Sequence, residues 1–231
     1  MKVAVIGLGV FGQSVCRYLH QNGTEVMAID QNMDIINEAV NFSTHAIKFD
    51  ATNIEALKKF NIQDYDCVIV SIGENFQDNI LVTSELKELG VKRIISRATS
   101  EINKKILFKI GADEVYIPEK NFGENLASKL TQKRIVEVVK LSSDFSIMEI
   151  LTPRIFKGKT LQDLNLRKIY NINVVTIRKR SVPGETDRNA PINIKEFDTV
   201  FLPSPDTLLD GNEVLVIVGK NRDVHAFAAE D

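Results

Sequence analysis

The sequence predicts an α/β fold, in which a doubly wound parallel sheet is followed by a small α+β domain. Short apolar segments alternate with helical patterns through the first half of the chain. Glycine follows three of these helical patterns, at the place where a helix commonly ends in a left-handed residue. After residue 118 the predicted strands outnumber the helices, which indicates a second domain of another class.

The predicted elements of the first half follow one another regularly. Strands are expected at 3–6, 25–29, 46–49, 67–71, 93–96 and 114–117, and helices at 11–21, 33–40, 54–60, 77–89 and 101–110. Because strands that alternate with helices pair in parallel, these segments predict one sheet with helices on both faces.

The second half is less regular. It predicts helices over 119–134 and 222–229 and strands at 145–151, 173–178, 197–202 and 214–218. The extended, mixed segment 135–144 is interpreted as a connector, so the expected domains are 1–134 and 145–231. The polar stretch 181–197, rich in turn-forming residues, predicts a protruding, insertion-like loop.

Composition excludes several functional classes. The formal net charge of −2 provides no bulk basicity for a nucleic-acid partner or an anionic membrane. No window approaches the roughly 18 consecutive apolar residues of a membrane span, and the start lacks the apolar core of a signal peptide. The two cysteines, Cys16 and Cys67, lie in apolar segments and predict buried thiols. These features favour a cytoplasmic location.

The stretch VAVIGLGVFG, residues 3–12, joins a predicted buried strand to a predicted helix. Its three glycines, Gly7, Gly9 and Gly12, form the pattern G-x-G-x-x-G. In this pattern the first glycine allows a tight turn, the second lets the backbone approach a pyrophosphate, and the third lets helix and strand pack closely. The amides of the helix start, at Val10 and Phe11, then face the anion. The motif predicts a Rossmann-like nucleotide site.

Asp30 ends the second predicted strand, 18 residues after Gly12. A carboxylate at this place accepts hydrogen bonds from both ribose hydroxyls of an adenosine and repels a 2′-phosphate, which disfavours NADP. A solvated aspartate in a turn is the alternative. Asn32 lies at the same edge and is a further candidate.

Other candidates follow the neighbouring strands. The third strand is followed by Asp50, Ala51 and Thr52. The Asp50 carboxylate is expected to accept a hydrogen bond from an adenine amino group or, alternatively, to help cap the next helix. Ser71, Ile72 and Gly73 follow the fourth strand, and Arg97 ends the fifth, its charge directed at phosphates or at solvent. Since open α/β sheets bind ligands at the carboxyl ends of their strands, this shared location predicts an adenine nucleotide: ATP, ADP or NAD.

The chemistry of catalysis is poorly represented. None of the histidines, His20, His45 and His225, is placed for catalysis at this edge. The G-x-x-x-x-G-K pattern of a phosphate-binding lysine is absent. A binding module therefore explains the sequence better than an enzyme, with an NAD-dependent oxidoreductase as the alternative from another class.

Five segments carry a resemblance to a known family: VIGLGVFG (5–12), VSIGEN (70–75), KIGADEVYIPEK (109–120), DLNLR (163–167) and LVIVG (215–219). They make nearly the whole chain similar to the regulatory subunits of Ktr/Trk potassium uptake systems, which are built from RCK domains. The resemblance implies a cytoplasmic gating subunit that dimerises, assembles into an octameric ring beneath a membrane potassium channel, and is switched by ATP and ADP. A nucleotide-sensing adaptor of another transporter is the nearest alternative.

The resemblance also assigns particular residues. Glu119 corresponds to a glutamate that helps to hold Mg²⁺ or Ca²⁺ near the terminal phosphates, although a carboxylate at a helix start is also favoured by the helix dipole. Where Ktr-type subunits typically carry an arginine that reaches the γ-phosphate, this chain has Val10, so NAD or NADH stays open as the ligand. In several relatives the C-terminal domain binds cyclic di-AMP, and the matching residues are Leu161, Leu164, Arg167, Ile169 and Tyr170.

Overall fold

A computed structural model describes residues 1–131, 134–181, 192 and 194–230. Within it the chain forms two compact units, Met1–Asn121 and Phe122–Asp231. Each unit has its own sheet and its own hydrophobic core.

The first unit is a doubly wound α/β sheet. Its strands are β1 (Lys2–Ile6), β2 (Glu25–Asp30), β3 (His45–Lys48), β4 (Cys67–Val70), β5 (Ile94–Arg97) and β6 (Glu114–Tyr116). Its helices are α1 (Val10–Gln21), α2 (Met33–Ala39), α3 (Ile54–Lys59), α4 (Phe76–Glu88) and α5 (Glu101–Ile110), and α6 (Pro118–Thr131) follows β6 and continues into the second unit. The strands pair in parallel in the order β3-β2-β1-β4-β5-β6. The predicted fold class of this half is confirmed.

The central strands β1 and β4 are almost wholly apolar and buried because helices cover both faces of the sheet. On β1, Ala4 and Ile6 belong to the core on one face, whereas Val3 and Val5 belong to the core on the other. This two-sided burial explains why the sequence shows a continuous apolar run rather than alternation. The strand order reverses between β1 and β4, which creates a crevice at the carboxyl ends of the strands.

The helices begin at that same edge, and several are capped there by asparagine. The side-chain oxygens of Asn32, Asn53 and Asn75 accept hydrogen bonds from first-turn amides of α2, α3 and α4 respectively. These caps satisfy amides that would otherwise lack partners.

The second unit contains an antiparallel sheet with short helices. Its elements are β7 (Ile135–Lys140), β8 (Phe145–Leu151), α7 (Leu161–Leu164), α8 (Leu166–Ile169), β9 (Ile172–Lys179), β10 (Thr199–Phe201), β11 (Val214–Lys220) and α9 (Asn221–Ala228). The strand order is β10-β9-β11-β8-β7. This agrees with the predicted small α+β domain.

Most of the segment predicted as a connector forms a strand in the structure. Residues 135–140 form β7, an edge strand that pairs antiparallel with β8. Ile135 and Val136 are buried, while the last two residues of the strand are exposed. An edge strand with one partly covered face has the mixed pattern of a linker, which is why the sequence alone did not identify it. The proposed domain limits at 134 and 145 stay a prediction.

The last residues of the insertion-like stretch 181–197 pack against the second unit. Residues 182–191 and 193 lie outside the described part. Phe197 is fully buried and packs with Val136, Leu151 and Val214 in a small separate core. The Arg180 guanidinium donates to a carboxylate oxygen of Glu196 at 2.6 Å. The end of this stretch is thus anchored on the sheet.

No helix among the described residues combines the length and the apolar character that a membrane span requires.

Candidate nucleotide-binding site

The glycine motif forms the turn between β1 and α1, beside the crevice. Gly7 has a φ of +87° and donates its amide to the carbonyl oxygen of Ile29 at 2.9 Å. A Cβ built on Gly12 would lie 2.1 Å from the carbonyl oxygen of Gly7, so only glycine lets α1 pack this close to the turn. A Cβ on Gly9 would meet no heavy atom within 4 Å.

Helix α1 begins without a side-chain cap in the described structure. Its N-cap residue is Gly9, which has no side chain to offer, and Val10 and Phe11 occupy the first helical positions. The amides at this helix start are therefore available to an external acceptor. An anion such as a phosphate fits there, because the positive end of the helix dipole adds to the amide hydrogen bonds.

Val10 stands at this helix start with 89% of its surface exposed. A valine side chain offers no donor to a phosphate. Whatever binds the anion at this place must be backbone or a residue from another element.

Asp30 lies beside the glycine motif. Its carboxylate accepts a hydrogen bond from the Leu8 amide at 2.7 Å and another from the Asn32 amide at 2.8 Å. Asp30, the residue predicted to bind the ribose, therefore also holds the glycine motif in place. Asn32, a further candidate from the sequence, caps α2. Each carboxylate oxygen keeps a lone pair for a further donor.

The residues after β3 mainly contact their own neighbours in the chain and the core. One oxygen of the Asp50 carboxylate accepts from both the amide and the hydroxyl of Thr52, at 2.9 and 2.7 Å. Ala51 is buried in the main core of the first unit. Asn53, rather than Asp50, caps α3.

The residues after β4 lie against the glycine motif. The hydroxyl oxygen of Ser71 is buried and finds no hydrogen-bond partner within the described part of the chain. It lies 3.0 Å from the position that a Cβ on Gly12 would take. The amide nitrogen of Ile72 is 3.2 Å from the corresponding position on Gly7. The structure thus brings together the glycine motif and the segment Ser71–Gly73.

Arg97 reaches the same place from β5. Its guanidinium fills the space beside Gly73, where a Cβ would lie 2.0 Å from Nη1. It forms an ion pair with Glu119 of α6. Burial raises the pKa of Glu119, but hydrogen bonds from its own amide and from Arg97 outweigh that effect and lower the pKa below the usual glutamate value.

Sequence reasoning missed Asn79. Its side-chain amide donates to the carbonyl oxygens of Ile72 and Arg97, at 2.7 and 2.9 Å, and so joins the ends of β4 and β5. Asn79 is buried on α4 in line with Val82, Thr83 and Leu86. A polar residue on the buried face of a helix was the available signal, because such a group needs internal partners.

No group of three or more His, Cys, Asp or Glu side chains is arranged to hold a metal ion in the described residues. A cation at Glu119 would thus need further oxygen ligands, such as those of a nucleotide's phosphates.

The residues predicted for a second messenger divide into two groups. Leu161 and Arg167 line a cleft of about 580 Å³ in the second unit, together with residues of β9 and the segment 203–205. Leu164 and Tyr170 instead pack into the core, where the Tyr170 ring contacts Phe227 edge-on at 5.3 Å between centroids. Ile169 is exposed outside the cleft. Two consecutive short helices turn these residues to different sides.

Comparison with known proteins supports the resemblance. Residues 3–118 match the TrkA-N domain model, and residues 145–230 match the TrkA-C domain model. The Ktr system potassium uptake protein C of Bacillus subtilis is 34% identical over 226 residues, which cover 98% of this chain and 95% of the relative. The chain belongs to the Ktr/Trk family.

Solved structures with low sequence identity share the fold. The GsuK channel superposes with a TM-score of 0.68 at 16% identity, covering 99% of this chain and 39% of that one. A GsuK channel bound to NAD gives 0.51 at 22% identity, covering 98% of this chain and 37% of that one. The chain therefore spans less than half the length of these channel structures.

Two alanine substitutions in the glycine motif compare a tightly packed glycine with one that faces open space. We expect Gly12→Ala to destabilise the first unit by about 1–3 kcal/mol, because the new methyl group would collide with the Gly7 carbonyl. Gly9→Ala is the matched control, because its methyl group would enter open space. Chemical denaturation of the ligand-free chain measures both. Equal stabilities for the two variants would contradict the geometry described for the turn.

Proposed function

We propose that this chain is the regulatory, gating subunit of a potassium uptake channel or transporter and that an adenine nucleotide bound in the first unit switches it. The observation that carries the proposal is the uncapped start of α1 beside Asp30 at the crevice of the sheet, in a chain 34% identical to a Ktr protein over almost its full length. The chain acts as a ligand-binding module without catalysis, at the cytoplasmic face of the membrane, through its channel partner.

The binding groups follow from the geometry. The amides at the start of α1 receive the phosphates, and the free lone pairs of Asp30 accept from the ribose hydroxyls. The Ser71 hydroxyl, which is buried against the glycine motif, and the Arg97 guanidinium, which lies beside Gly73, are further candidate donors. Glu119, with phosphate oxygens, would complete a site for Mg²⁺ or Ca²⁺.

The ligand is ATP or ADP, or NAD or NADH. The Val10 side chain carries no charge that could contact a third phosphate, so this position does not favour ATP over ADP. The GsuK channel solved with NAD supports a dinucleotide in this fold. The discrimination between these ligands depends on groups other than Val10.

Switching follows from linkage. A ligand shifts an assembly between two shapes only by the difference between its affinities for them. Two nucleotides that prefer different shapes of a ring of identical subunits therefore change the shape of the ring when one replaces the other. The change of shape then opens or closes the channel.

Helix α6 offers a surface for a second copy of the chain. Phe122, Leu126 and Leu130 are 71%, 47% and 73% exposed and recur every four residues. Such an exposed stripe on one side of a helix is typical of helix pairing between subunits. We propose that it contributes to a homodimer, the building block of the expected octameric ring.

A charge on this stripe should break the assembly. We expect Leu126→Glu to lower the particle mass measured by size-exclusion chromatography with light scattering, because pairing would bury the carboxylate. Asn121→Glu places the same charge off the stripe on an exposed position and should leave the mass unchanged. An L126E chain with the wild-type mass would exclude the stripe from the interface.

The cleft in the second unit is the proposed site for cyclic di-AMP. Leu161 provides apolar contact for a base, and Arg167 provides a charge for a phosphate. We expect Arg167→Gln to weaken cyclic di-AMP binding about tenfold or more in calorimetry, the scale of a lost charge-assisted hydrogen bond. The neighbouring Lys168→Gln, which does not line the cleft, is the control. Equal affinities for the two variants would refute the site.

Asp30 tests the nucleotide site and the regulatory role together. We expect Asp30→Asn to weaken ADP and NAD binding by roughly 1–3 kcal/mol, because the amide loses charge and one acceptor. Asp34→Asn removes the same charge nearby, from an exposed position in the first turn of α2.

Calorimetry measures the affinities, and potassium uptake by cells that co-express the channel subunit measures the role. Nucleotide-dependent uptake should fail with D30N and persist with D34N. Unchanged ADP and NAD affinity in D30N would overturn the ribose assignment. Turnover of a substrate with NAD would favour the oxidoreductase instead.

A further inference from the structure

The Arg97–Glu119 ion pair occupies a particular place in the first unit. Arg97 is the last residue of β5, and Glu119 is the second residue of α6. The two side chains differ in exposure, with 20% of Arg97 and 59% of Glu119 accessible. The arginine thus lies mostly inside the wall of the crevice, and the glutamate approaches it from the solvent side.

The position of the arginine is fixed from two sides. Its carbonyl oxygen accepts a hydrogen bond from the Asn79 side chain at 2.9 Å, and its guanidinium fills the space that a side chain at Gly73 would take. Gly73 in turn follows Ile72, whose amide nitrogen lies against Gly7 of the glycine motif. A continuous set of contacts therefore joins the guanidinium to the proposed phosphate-binding turn.

The guanidinium is only partly satisfied. Its Nε is buried and has no hydrogen-bond partner within the described residues, and Nη2 is engaged by Glu119. An arginine in this state can exchange its carboxylate partner for another anion of suitable geometry, since carboxylate and phosphate oxygens compete for the same donors.

We propose that Glu119 sets the phosphate affinity of the site by competing with the ligand's phosphate for Arg97. Without ligand, the glutamate neutralises the guanidinium and ties the start of α6 to the end of β5. When a phosphate takes over the arginine, this tie is released. The inference rests on the proposed nucleotide site and names the pair through which a bound phosphate reaches α6.

The competition makes a prediction opposite to that of a purely structural ion pair. Removing one partner of a structural pair weakens the site, whereas removing a competitor strengthens phosphate binding. In calorimetry with ADP and excess EDTA, we expect Glu119→Gln to bind about two- to fivefold more tightly than the wild type, the scale of a partly exposed ion pair. EDTA removes any contribution of Glu119 as a cation ligand. Glu119→Asp, which keeps the charge on a shorter side chain, should give a smaller gain.

Two controls separate this effect from a general change of charge. Glu101→Gln removes a carboxylate from the neighbouring pair, in which Lys120 Nζ lies 2.6 Å from Glu101 Oε1, and should leave ADP affinity unchanged. Arg97→Gln should weaken ADP binding, and the gain of E119Q should vanish in the R97Q background because no guanidinium is left to release.

The possible results are distinguishable. A gain in E119Q that is lost in the R97Q background supports the proposal. No gain in E119Q, an equal gain in E101Q, or a gain that survives in the R97Q background would each overturn it while leaving the nucleotide site intact. Absence of ADP binding by the wild type, with or without Mg²⁺, would overturn the inference together with ADP as the proposed ligand.

Discussion

The hydrogen bond from the Leu8 amide to the Asp30 carboxylate is the interaction on which the candidate site depends. It ties the glycine motif after β1 to the end of β2, next to the reversal of strand order between β1 and β4. Because the same carboxylate also accepts from Asn32, the start of α2 is fixed relative to the start of α1. The partly buried Asp30 carboxylate thereby positions the groups expected to bind phosphate and ribose.

The other wall of the crevice has an equivalent brace in Asn79. Its two donated hydrogen bonds hold the ends of β4 and β5 together, so Gly73 and Arg97 lie side by side. The pair Arg97–Glu119 then connects this wall to α6. The two braces are built from polar side chains because the ends of parallel strands leave carbonyls and amides that need partners. Binding groups and supporting groups are thus adjacent throughout the site.

Much of this arrangement was predictable from the sequence, for physical reasons. Parallel strands buried on both faces give uninterrupted apolar runs, and a G-x-G-x-x-G motif between such a run and a helix has few structural uses. Other features depend on tertiary contact. The edge strand β7 shares its pattern with a linker, and Leu164 and Tyr170 enter the core only because α7 and α8 turn separately. The meeting of Arg97 with Glu119 joins residues 22 positions apart, which local patterns do not encode.

Hydrogen–deuterium exchange of the full chain, with and without ADP and with and without NAD, would show directly whether a nucleotide binds in the crevice of the first unit. We expect slower exchange at the amides of the glycine motif and the first turn of α1, together with the segments after β2 and β4. Ligand-dependent protection confined to the cleft of the second unit, or no protection in the first unit with either ligand at saturating concentration, would contradict it.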